Sequence, residues 1–201
     1  MAMDARSDRR TLELAGATGA SLVTACLLIG LVALAVGRAS LRNWLAVLIA
    51  INSGRGASLS TLHVVNGVDI AVLLFGALAF AGFWPGPAGP RRVWTAIAIG
   101  LPLAGIAVLF ATGFMGRSGL MGGGLVLSVI MMAGGRLRVL GLLGIAANVF
   151  LLIGDFTTAG PPSPLVTGVV AIGYLLLIGW FVWMAVGLAG GLGVDGRASH
   201  T

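Results

Sequence analysis

The sequence contains no lysine, one cysteine and very few charges. Charged residues make up 9% of the chain, whereas a soluble domain is about one quarter charged. So few charges cannot cover a water-facing surface. Without lysine, a Schiff base to retinal or pyridoxal has no amine on which to form. The lone Cys26 excludes an intramolecular disulfide, and its place inside an apolar run makes it a small packing residue. There is no N-glycosylation sequon, Walker A sequence, nucleotide fingerprint or H-E-x-x-H.

All the basic residues are arginine, and the net charge is +6. Nucleic-acid binders gather such charge on a polar face. Here the arginines stand between apolar runs, which is the pattern of topology signals, so no nucleic-acid partner is expected.

What the sequence does have is apolar length. Hydrophobic residues make up 58% of 201 positions. That length suits about six spans, each of roughly 20 residues crossing about 30 Å of hydrocarbon. The expected fold is all-α: a polytopic transmembrane helical bundle whose solvent is the lipid bilayer. It comprises an N-terminal tail over 1–13, a helical domain over 14–190 and a C-terminal tail over 191–201. The spans are expected at 14–37, 60–83, 93–115, 120–133, 139–156 and 165–188. The first run exceeds the usual 7–15-residue core of a signal peptide, so it reads as an uncleaved span.

Local punctuation supports these limits. Pro85, Pro87 and Pro90 cannot continue a helix and mark a loop. Gly116 to Gly119 read as a tight turn, and Pro102 predicts a kink unless neighbours re-satisfy the carbonyl it frees. Between the first two spans, Arg38, Arg42 and Arg55 bracket an apolar stretch too short to cross. It predicts an interfacial or re-entrant segment over 41–52, with Trp44 at headgroup level. Gly119/Gly123 and Gly187/Gly191 have G-x-x-x-G spacing, but at this glycine content about five such pairs arise by chance.

Arginine counting sets the orientation. With the N-terminus inside, Arg6, Arg9, Arg10, Arg91, Arg92, Arg136, Arg138 and Arg197 are cytoplasmic, against Arg38, Arg42, Arg55 and Arg117 outside. Eight against four predicts a multi-pass protein of the cell inner membrane with both termini cytoplasmic.

An ionisable group in hydrocarbon needs a partner or a cavity. His63, Asn66 and Asp69 stand at i, i+3 and i+6, within about 120° of one helix face and about 9 Å of rise. Asn66 can bridge the other two, donating to a carboxylate and accepting from an imidazole. Asn148 and Asp155 share a face of the fifth span, about 10 Å apart. With Arg117 in the turn before the fourth span, these residues define an expected polar pocket, most of it in the outer half. Each also has a plain structural reading. His63 can be solvated near the interface, Asp155 can cap its helix or pair with Arg117, and Asn148 can join two helices.

Specific chemistries lack their residues. His63 is the only histidine in a span, which leaves a haem or zinc site without a second ligand. Ser60, His63 and Asp69 share only helical spacing as a triad. No cofactor, metal or catalytic residue is expected.

Residues 124–132, followed by Gly135-Arg136-Leu137-Arg138-Val139-Leu140-Gly141-Leu142-Leu143-Gly144, form an apolar span, a short basic loop and a glycine-spaced helix start. This pattern and the basic N-terminal tail resemble a bacterial family of small six-helix membrane proteins of unknown function. The resemblance implies the six-helix layout and carries over no site residue.

The leading expectation is a non-enzymatic membrane protein that binds a small ligand or lipid in an outward-facing pocket, or serves as an accessory subunit beside a membrane-protein partner or another copy of itself. A small transporter or channel-forming oligomer using Asp69 is the alternative. An intramembrane enzyme using His63 and Asp69 is the third.

Overall fold

The computed structural model describes residues 5–36, 59–84, 89–112, 117–135, 137–157 and 164–190. They form six helices: α1 (Ala5–Val36), α2 (Leu59–Ala81), α3 (Pro90–Thr112), α4 (Arg117–Ala133), α5 (Arg138–Thr157) and α6 (Pro164–Ala189). The segment expected at 41–52 and the tail from 191 lie outside the described residues.

Every helix begins earlier than its expected span, α1 by nine residues and α3 and α4 by three each. The tail expected over 1–13 is already helical from Ala5. Its charges are matched one turn apart: Arg9 Nε lies 3.0 Å and Arg10 Nη1 3.6 Å from the buried Glu13 carboxylate. Such i,i+3 and i,i+4 pairs support helix in a polar sequence. The turn expected over Gly116 to Gly119 is helical from Arg117. Gly119 serves packing there, because a Cβ at that position would lie 2.5 Å from Leu101 O of α3.

Proline and glycine set other limits as their backbones dictate. Pro90 and Pro164 open α3 and α6, where a missing N–H leaves no bond unmade. After α4, Gly135 adopts φ 76, a left-handed conformation that favours glycine. Pro102 leaves α3 continuous, although it removes the donor for the Ala98 carbonyl four residues earlier. That carbonyl faces α4, where a Cβ at Gly123 would sit 2.5 Å from Ala98 O and 3.0 Å from Pro102 Cδ. The Gly119/Gly123 spacing thus lets α4 lie against α3 within one chain.

The helices pack in chain order as a closed ring. Each touches the next, α6 returns to α1, and α2 also meets α4 across the ring. Directions alternate. Gly16 of α1 meets Gly82 just beyond α2, and Gly19 meets Phe75 and Ala79. Arg10 near the start of α1 donates to Ala189 O at the end of α6, 2.8 Å away. Arg91 of α3 donates in the same way to Ala133 O, the last residue of α4, at 3.2 Å. Carbonyls at a helix C-terminus lack partners and carry the negative end of the dipole, so a guanidinium suits them. The N-terminal ends of α1, α3 and α5 therefore share one end of the bundle with the C-terminal ends of α2, α4 and α6.

Large apolar side chains fill the core and also cover much of the exterior. Ile29, Val93, Phe110, Val139, Leu165 and Val186 are each more than half exposed. Glu13, Thr24, Asp69, Thr95, Ser128 and Asn148 are buried. The core also holds Phe80, Trp180 and Phe181, with Trp180 and Phe181 edge to face at 5.1 Å. Three helices, over Ser7–Ile29, Pro90–Ala111 and Gly168–Ala189, are long and apolar enough to cross a membrane. Among the described residues the other apolar stretches are shorter.

Candidate functional site

Asp69 and Arg117 meet directly. Arg117 Nε donates to Asp69 Oδ1 at 2.8 Å, and Arg117 Nη2 lies 2.7 Å from the same oxygen. Arg117 Nη1 also donates to the Tyr174 hydroxyl, 3.4 Å away. Three helices converge on this point: α2 brings the carboxylate, α4 the guanidinium and α6 the phenol.

The depth of the cluster follows from helix register. Asp69 stands ten residues from the start of α2, and Tyr174 ten from the start of α6. At 1.5 Å per residue each lies about 15 Å along its axis. Arg117 is the first residue of α4, so α4 begins near the level that α2 and α6 reach only after three turns. A guanidinium that a loop would place at the rim is thereby set deep in the bundle. The Asp69 side chain is 12% exposed and that of Arg117 34%. The pair is sheltered while the guanidinium stays accessible.

Asn148 belongs to a different place. Its amide nitrogen donates to Gly144 O of its own helix at 2.7 Å, and its side chain fills the space that a Cβ on Gly124 would take. Reciprocally, Ser128 of α4 packs against Gly144 and donates to Gly124 O at 2.6 Å. A polar side chain from each helix thus seats on a glycine of the other. Asn148 Oδ1 and Trp180 Nε1 are buried here without a hydrogen-bond partner among the described residues. Gly124 is seven residues beyond Arg117, about 10 Å farther along α4, so this interlock is separate from the ion pair.

His63 and Asn66 lie on α2, about two turns and one turn before Asp69 respectively, and Asp155 lies near the end of α5. Their side chains are outside the described ones. The described geometry therefore joins Asp69 to Arg117 and sets Asn148 apart. It adds Tyr174, which sequence reasoning passed over. The signal was present, since Tyr174 is the only tyrosine and its hydroxyl falls inside an apolar run. A buried phenol usually finds a hydrogen-bond partner.

Among the described residues no group of three or more His, Cys, Asp or Glu side chains is arranged to hold a metal ion. Chemically, the cluster presents guanidinium and phenol donors beside one carboxylate acceptor. No protein-family model matches the chain, and no curated protein or solved structure is similar to it at a significant level.

Proposed function

We propose that this chain is a six-span protein of the cell inner membrane, with both termini cytoplasmic, that binds a small anionic ligand at Arg117 and Tyr174. The observation that carries this reading is the Asp69–Arg117 pair inside a bundle whose exterior is apolar. Charged groups in such a setting are costly and mark functional positions by default. Asp69 serves as the resident counter-charge, and an incoming carboxylate or phosphate would compete with it for the guanidinium. Arg suits that exchange because its planar fork binds two acceptor oxygens side by side.

Six alternating helices and arginines gathered at one end support the topology. Helices α2 and α5, with 23 and 20 residues, reach about 33 and 29 Å, close to the hydrocarbon thickness. Helix α4 is shorter, and its start at Arg117 is what opens the site toward the outer side.

Acetate, succinate and inorganic phosphate, titrated into the purified protein, test the reading. At least one should raise the melting temperature of the wild type and not that of Arg117→Gln. Equal responses in the two proteins, or none in the wild type, argue against it. A transporter reading rests on the same pair, since Asp69 is an ionisable group deep in the bundle. It requires that Asp69→Asn abolish a pH-dependent flux in proteoliposomes, and unchanged flux sinks it.

A further inference from the structure

The contacts at Arg117 leave two polar groups of the cluster with capacity to bind. Both guanidinium contacts to Asp69 fall on Oδ1. Among the described residues Asp69 Oδ2 has no partner, and it is not one of the fully buried atoms left in that condition. It therefore opens onto the accessible side of the pair, in keeping with a side chain 12% exposed. The Tyr174 hydroxyl accepts from Arg117 Nη1 at 3.4 Å, which leaves its own proton to donate. No described residue takes that proton. One acceptor and one donor thus flank a single guanidinium. The contacts of Arg117 hold the Tyr174 oxygen within roughly 9 Å of the Asp69 carboxylate.

Charge narrows what can bridge them. Among the described residues the cluster is one cation and one anion. A plain anion that takes Arg117 either displaces Asp69, whose carboxylate is then sheltered and unmatched, or adds a net negative charge inside an apolar bundle. Both are costly. A ligand that carries its own cation meets neither cost. Its carboxylate takes the Tyr174 proton beside the guanidinium, while its ammonium group donates to Asp69 Oδ2. Helix α4 begins at Arg117, so the carboxylate also meets the positive end of a helix dipole. Asp155, near the end of α5 at the same end of the bundle, adds acid rather than base to that end.

We infer that the site takes a small zwitterion of the amino-acid kind, its carboxylate at Arg117 and Tyr174 and its ammonium group at Asp69 Oδ2. The inference rests on the ligand reading proposed above and names the class of that ligand. Glycine with one hydrogen bond at each end reaches roughly 9 Å, so the smallest amino acid spans the two groups.

The test is isothermal titration calorimetry of the full chain in mild detergent at neutral pH, with glycine, acetate and methylamine as probes. Glycine should bind the wild type about tenfold more tightly than either of the others, the factor that one hydrogen bond to a charged group supplies. Asp69→Asn removes the charge that meets the ammonium group. It should weaken glycine about tenfold and leave acetate no weaker. Tyr174→Phe should weaken glycine and acetate alike and leave methylamine unchanged. If Asp69→Asn fails to fold, the order of the three probes on the wild type decides by itself. Acetate binding as tightly as glycine overturns the zwitterion and leaves the anion reading of Arg117 standing. Glycine binding unchanged in Asp69→Asn overturns the position given to the ammonium group. A wild type that binds none of the three overturns the inference, and one that also ignores succinate and phosphate overturns the reading beneath it.

Discussion

Arg117, the first residue of α4, places both Nε and Nη2 within 2.8 Å of a single carboxylate oxygen of Asp69 on α2. The contact ties two helices that are not neighbours in the chain. Removing one partner leaves the other sheltered and unmatched, which costs about 3–5 kcal/mol for a fully buried pair. Arg117 is one third exposed, so about 2 kcal/mol is expected for Asp69→Asn or Arg117→Gln. The double variant should lose less than the two singles together. Unfolding of all four proteins in detergent gives the coupling, and strict additivity would show that the pair contributes nothing.

The α3–α4 contact predicts a contrast between glycines. Gly123→Ala brings a methyl group within 2.5 Å of Ala98 O and should cost about 1–3 kcal/mol through overpacking. Gly187→Ala meets nothing within 4 Å and should leave stability unchanged or slightly raised. Melting temperatures of the two variants in one detergent decide the matter. A harmless Gly123→Ala would mean that the helices separate without penalty.

How much of this was legible in the sequence depends on the feature. Apolar runs and prolines place the helices, because hydrocarbon length and missing N–H groups act locally. The start of α4 was not legible. Gly-Arg-Ser-Gly has the composition of a turn, and only the approach of α3 shows that Gly119 is small in order to pack. That displacement decides the site. A loop arginine would pair near the rim with Asp155, whereas a helical one faces Asp69 at depth. Asn148 read as part of the same polar face because seven residues make nearly two turns. Its burial against Gly124 depends on α4, which the spacing within α5 does not contain.

At the buried interlock, Trp180 Nε1 has no partner among the described residues. Trp180→Phe removes that unmatched donor along with part of the ring. It should cost less than about 2 kcal/mol, against about 3–5 kcal/mol for Trp180→Ala, which empties the aromatic core. Equal losses in an unfolding titration would show that the indole nitrogen is satisfied.

Arg10 and Arg91 each hold the last carbonyl of a neighbouring helix. Replacing either with alanine should lower stability by about 0.3–1 kcal/mol, and the loss should shrink as salt is raised. A loss independent of salt would assign these residues to packing instead.

The central claim is that the Arg117 position lies deep in the bundle and is reached from the outer side. Labelling of intact cells with a membrane-impermeant maleimide tests it most directly. The variant is Arg117→Cys with Cys26→Ala, in an Asp69→Asn background so that no carboxylate is left unmatched. The account predicts labelling without permeabilisation, while Arg138→Cys in the Cys26→Ala background reacts only after the membrane is opened. Labelling of Arg117→Cys only after permeabilisation, or of Arg138→Cys from outside, would contradict it.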